Sequence, residues 1–226
     1  MHDEPSKSPQ ARRLRRLAAG AGLALGVAAV LGALVMRPPA FYAARLRPPP
    51  EAEPAARRLV TKLAAVEAAA RSPGRFEAAI GEAEINGFLA VDLPRNHAAV
   101  LPSWIAAPRV MLEPRLVSIA ARLGGGPVAP VAHAVVELEL VAVGQLHCRL
   151  VRAGLGALPL PRGPLLHRLA AAVRQAGATA ELRRVDGETR LVVTMPAGPG
   201  GATPRLEALA IGPGELLLAG TTEAAR

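Results

Sequence analysis

Few side chains in this sequence stand where they could do chemistry together. The histidines are His2, His97, His133, His147 and His167, and none sits at a metal-ligand spacing such as H-E-x-x-H. His147 precedes the only cysteine, Cys148. Neighbours on a strand point to opposite faces, so these two cannot readily share a metal; a surface histidine beside a buried thiol is the simpler expectation. A nucleophilic thiol needs a depressed pKa beside an exposed base, whereas Cys148 falls on the apolar face of its strand. Glu137 and Glu139 lie two residues apart on one strand face, a spacing that suits an acid–base pair, although solvated strand charges are its commoner use. Beyond the N-terminal tail the only aspartates are Asp92 and Asp186, and an Asp-Gly turn accounts for Asp186. Gly124-Gly125-Gly126 lacks the lysine and the following helix of a phosphate loop, and no Gly-x-Gly-x-x-Gly motif occurs. The residue set therefore predicts a non-enzymatic protein with no metal and no cofactor.

The N-terminus carries a stronger signal. Arg12-Arg13-Leu14-Arg15-Arg16 is followed by Leu17 to Met36, a run without a charge, and then by Arg37-Pro38-Pro39. At about 1.5 Å per residue the run reaches about 30 Å, the hydrocarbon thickness of a bilayer. It exceeds the ~7–15 residue apolar core of a signal peptide, and no clean cleavage site follows. The expected organisation is a cytoplasmic basic tail (1–16), a transmembrane helix (17–36), a Pro-rich linker (37–54) and an extracytoplasmic domain (55–226). Lys7 and the four tail arginines outweigh Arg37, Arg45 and Arg47 downstream, which sets that orientation. Gly22-x-x-x-Gly26 has the spacing of a close helix–helix contact. From Arg37 onward 22 basic residues face 16 acidic ones, a net +6 that favours anionic head groups. The pI near 11.3 also raises nucleic acid as a partner, but aromatics for base stacking make up only 2% of the chain and the arginines are scattered, so no nucleic acid is expected.

The domain reads as two early helices, a large antiparallel sheet and one later amphipathic helix, an α+β class. Pro48-Pro49-Pro50 reads as a stiff extended spacer. Leu59, Leu63, Val66 and Ala70 share a helix face over 55–71, which Ser72-Pro73-Gly74 ends. A short strand covers 75–80 and a second helix 82–91. A loop around Pro94 and Pro102 carries His97 and Trp104. Val117 to Leu123 alternates as a strand. The longest regular signal follows: even positions Ala134, Val136, Leu138, Leu140, Leu146, Cys148 and Leu150 are apolar, while His133, Glu137, Glu139, His147 and Arg149 occupy odd ones. The parity survives Gly144, so the stretch is one bent strand or two strands joined by a three-residue loop. Leu165, Leu166, Leu169 and Val173 give an inward stripe to a helix over 163–176. Asp186-Gly187 predicts a type I′ hairpin pairing Leu182 with Leu191 and Ala180 with Val193. A last hairpin turns at Gly212-Pro213-Gly214.

One order of features is familiar: an anchor, Glu82-Ala83-Glu84-Ile85-Asn86-Gly87-Phe88-Leu89 on a helix, a long alternating strand, Gly156-Ala157-Leu158-Pro159-Leu160-Pro161, and a further helix. It resembles the YpmS-like uncharacterised membrane-anchored bacterial proteins and, more distantly, tubular lipid-binding (TULIP-like) domains. The resemblance covers about residues 17–220. It implies a strongly curved sheet around a helix, an apolar groove, no catalytic residues, and a place in the bacterial inner membrane as a single-pass protein.

The leading functional expectation is a module that binds membrane lipid or another long apolar ligand between the sheet and the helix after Pro161. Val136, Leu138, Leu140, Leu146, Leu150, Leu165 and Leu169 are its candidate lining residues, because the alternating strand is longer than one helix can cover. The alternative is a scaffold or accessory subunit that works through an envelope protein partner.

Overall fold

The computed structural model describes residues 26–126, 129–175, 177–194 and 203–223. It opens with a helix over 26–36, here α1. The tail and residues 17–25 of the anticipated membrane span lie outside the described residues. Among the described residues no helix is long and apolar enough to cross a membrane.

The Pro-rich stretch after α1 departs from the extended spacer expected of it. Ala40–Arg45 forms a short helix, α2, and the next helix, α3, spans Ala52–Arg71. Tyr42 explains the departure. It is fully buried, and its hydroxyl donates to the Ala107 carbonyl at 3.0 Å. Burying an aromatic ring and satisfying its hydroxyl outweighs the extended preference of the flanking prolines. Arg109, buried beneath α2, donates to the Arg45 carbonyl at 2.7 Å and the Leu46 carbonyl at 3.4 Å, occupying acceptors that the helix end leaves open.

α3 buries Ala52, Ala55, Ala56 and Leu59, while Leu63 of the anticipated stripe is exposed. The reason is close approach by the helix after the first strand. A Cβ on Gly87 would stand 2.5 Å from the Ala52 carbonyl oxygen, so only small residues fit at this crossing. That strand is β1 (Gly74–Gly81) and the helix is α4 (Glu82–Gly87). The helix does not stop near residue 91: a π-helical turn, Phe88–Asp92, carries it into α5 (Leu93–Asn96), where Pro94 stands in the first turn. Glu84 accepts from the Gly81 amide at 3.0 Å, the reciprocal half of a capping box whose other half glycine cannot supply.

The remaining strands are β2 (Ile105–Glu113), β3 (Leu116–Leu123), β4 (Val131–Ala142), β5 (Gln145–Leu155), β6 (Leu158–Pro159), β7 (Thr179–Val185), β8 (Glu188–Thr194), β9 (Thr203–Gly212) and β10 (Glu215–Glu223). Helix α6 (Arg162–Gln175) separates β6 from β7. The main antiparallel sheet runs β2-β3-β4-β5-β8-β7 with β6 beside β5, and a smaller one runs β1-β10-β9. This is an α+β fold built on a large antiparallel sheet. The 133–151 alternation is two strands, joined not by a three-residue loop but by the two-residue turn Val143-Gly144, with Ala142 facing Gln145. A bulge at Val141 restores the parity, so that Leu140 faces Leu146 and Leu138 faces Cys148. The Asp186-Gly187 hairpin has the anticipated register, Leu182 opposite Leu191 and Ala180 opposite Val193, with positive φ at both turn residues.

Candidate functional site

The three polar residues of Glu82-Ala83-Glu84-Ile85-Asn86 do structural work. β2 is an edge strand, and α4 covers its free groups. The Asn86 side chain donates to the Val110 carbonyl at 2.8 Å and accepts from the Val110 amide at 2.9 Å, imitating a neighbouring strand. Glu82 accepts from the Leu112 amide at 2.7 Å and pairs with Arg45 at 2.7 Å. Burial alone would raise the Glu84 carboxyl. The Lys62 ammonium at 2.8 Å, the Gly81 amide and the Arg58 charge outweigh that and hold it below its ordinary value.

One face of the main sheet carries the apolar row expected to line a ligand groove. Val136, Cys148, Leu150, Ala153 and Leu191 form a buried cluster with Leu166 and Ala170 of α6, and Leu138, Leu146 and Leu165 pack against it. The part of β4 beyond the reach of α6 is covered by the small sheet, since Leu138 also packs with Ile211 and Leu216. The Gly144 amide donates to the Leu206 carbonyl at 2.8 Å and fixes the hairpin tip against β9. Leu140 is half-buried opposite Leu146, and Leu169 is exposed on α6. The strand does outrun the helix, but a second sheet fills the difference. None of the seven candidate residues lines the groove on the opposite face of the sheet.

Cys148 and His147 lie on opposite faces. The thiol belongs to the α6-side cluster, and burial pushes its pKa up to about 11, away from nucleophilic use. Glu137 and Glu139 enter an ion-pair ladder on the other face. Arg149 reaches Glu137 at 2.6 Å and Glu188 at 3.4 Å, Arg190 reaches Glu139 at 3.6 Å, and Arg115 approaches both glutamates. The described residues hold no group of three His, Cys, Asp or Glu that could hold a metal ion.

The groove lies toward the other end of this second face. It is open, with a volume of about 910 Å³, and α2 with its preceding prolines forms one wall. Met111, Ser118, Val135 and Arg152 are successive partners across β2, β3, β4 and β5 and make one row of its floor. Phe41, Leu116 and Leu158 add apolar wall; Arg37 and His133 add polar groups, and Glu113 is its only carboxylate. His133 packs on Gly154, where an added Cβ would come within 2.4 Å of the ring. Burial, aided by the Arg152 charge, lowers the His133 pKa, and its Nδ1 is buried without a hydrogen-bond partner in the described structure.

Sequence reasoning missed this groove because it assigned odd positions of the strand to solvent. Val131 and Val135 are odd and buried. Val151 is an extra residue on β5: Val136 faces Leu150 but Val135 faces Arg152. That bulge switches the parity of β5 and brings Arg152 and Gly154 to the groove face. The two buried valines were the readable signal; the bulge had none.

The groove is tied to α1. The Ala157 amide donates to the Leu34 carbonyl at 2.7 Å, and a Cβ on Gly156 would stand 2.1 Å from the Val35 carbonyl oxygen. The Gly-Ala-Leu-Pro-Leu-Pro string thus seats the end of α1 against the sheet. No known protein family, curated protein or solved structure matches the chain.

Proposed function

We propose that residues 17–36 hold this protein in a bacterial inner membrane, with the α+β domain on the extracytoplasmic side, and that the domain binds lipid or another long apolar ligand without catalysing a reaction. The groove under α2 carries the ligand reading. Its volume of about 910 Å³ is that of a small-molecule site, which typically spans about 300–1,000 Å³. Met111, Val135, Phe41, Leu116 and Leu158 give it apolar surface that suits an acyl chain, and Arg152 in its floor with Arg37 beside it suits an anionic or dipolar head group. The support lies on the α2 side. On the α6 side the protein's own side chains occupy the space in which Val136, Leu138, Leu150 and their neighbours were expected to meet a ligand.

Native mass spectrometry of the full chain, extracted in mild detergent, tests the proposal. A co-purifying amphiphile is expected. Ala40→Trp combined with Val151→Trp, both on the groove wall, should remove it, and Leu169→Trp on α6 should not. A ligand-free protein, or a ligand retained by the filled groove, would sink the idea.

A further inference from the structure

We propose that the loop carrying Trp104 is a second bilayer contact, which together with the end of α1 fixes how the domain sits on the lipid surface; this rests on the reading of 17–36 as a membrane span. Hydrogen bonds at one end of the main sheet link the two points. The Leu34 carbonyl accepts from Ala157, and the Gly156 amide donates to Val131, where β4 begins. At the next strands the Leu123 amide donates to Pro130, and the Gly124 amide donates to Trp104 at 2.7 Å, just before β2 begins. Trp104 therefore lies at the same end of the sheet as the close of α1, offset by three strand spacings, about 14 Å.

The chemistry of that end suits a bilayer interface. Trp104 is the only tryptophan in a chain with 2% aromatics, and it is 57% exposed; Val100, in the same loop, is 70% exposed. An indole has an apolar body and one N–H donor, which is why tryptophan concentrates at the head-group level. The connections 97–104 and 156–161 contain no Asp or Glu, so nothing in them repels an anionic surface. Leu160, in the connection that holds α1, is also exposed. The bilayer is favoured over a protein partner as the occupant because the patch continues from the point where the chain leaves its membrane span.

The single tryptophan makes the test direct. The full chain is reconstituted into phosphatidylcholine vesicles whose acyl chains carry bromine at shallow or deep positions. Trp104 emission should be quenched most by the shallow bromines and poorly by aqueous iodide. A second variant, Trp104→Phe with Val143→Trp, moves the probe to the opposite tip, about 40 Å along the twelve residues of β4. It should respond to iodide and not to bromine. Trp104 that iodide quenches freely while the chain resists alkaline extraction would overturn the inference and leave the anchor standing, as would equal bromine quenching at both positions. A chain washed off the vesicles by alkali would instead remove the membrane reading beneath it.

Discussion

The two faces of the main sheet are built from the same alternating strands, yet they end in opposite states. On one face α6 and the small sheet close over Val136, Leu138, Cys148, Leu150 and Leu191. On the other, α2 is only six residues long and buries Tyr42 over Ala120 and Val131, leaving the groove beside it. The difference is one of cover. A 14-residue helix with an apolar stripe spans several strands, whereas a one-and-a-half-turn helix reaches about 9 Å. An apolar strand face becomes core or cavity according to what the rest of the chain lays on it. Apolar alternation identifies the face only as unfit for water.

The comparison is broken most directly by removing the two best-buried large side chains, one on each face. Leu191→Ala should cost about 3 kcal/mol and Tyr42→Ala about 3–5 kcal/mol, followed by denaturant unfolding of the full chain in detergent. The two should differ in kind. Tyr42→Ala frees α2 and abolishes ligand retention, while Leu191→Ala lowers stability with the groove intact. A Tyr42→Ala protein of undiminished stability would mean that α2 is not a wall of the groove.

Gly156→Ala comes next in size. The residue has φ +58°, and the added methyl would meet the backbone of Leu34 and Val35. A left-handed residue other than glycine costs roughly 1–2 kcal/mol before any clash. Amide exchange at Ala157 should quicken as its bond to Leu34 is lost, with exchange in β8 on the α6 side unchanged.

Acid should separate the faces further. His133 has a folded pKa below its ordinary value near 6.5, so as pH falls below about 6.5 the unfolded chain takes up a proton that the folded groove resists. Stability contributed at this site is present above that pH and is lost as pH falls toward the folded value. Thermal unfolding between pH 7 and pH 5 should show the loss, and His133→Gln should flatten it.

The smallest effect is expected in the ion-pair ladder. Glu139 is 44% exposed and its arginine partners stand at 3.6 and 3.8 Å, so Glu139→Gln should change stability by about 0.5 kcal/mol or less and vanish into high salt. A change of several kcal/mol would give the ladder a role that this geometry does not support.

Much of this fold can be read from local pattern. Asp186-Gly187 dictated its hairpin and register, because two positive φ angles in a row admit few residues. The parity across Gly144 left one bent strand or a hairpin open, and a bulge at Val141 decided the Leu140–Leu146 pairing, whereas Ser72-Pro73-Gly74 ended α3 at Arg71 as expected. The candidate site was legible only in part. Val136 and Leu150 read as apolar residues facing a helix, and α6 does cover them, but the cover over Leu138 comes from β9 and β10, far along the sequence. Phe41 and Tyr42 sat in a stretch whose prolines pointed to a spacer, and nothing local announced that a sheet would bury the tyrosine.

The sequence by itself determined the apolar run at the N-terminus, the strand periods, the turns and the scarcity of residues suited to catalysis, since each depends on side-chain type within a few positions. Tertiary structure alone decided which face was sealed, where β5 bulged at Val151, that Glu82 and Asn86 would serve a strand edge, and that α1 would close against Gly156. Those outcomes depend on contacts between segments distant in the chain, where steric fit and the satisfaction of buried polar groups, rather than any local preference, select the arrangement.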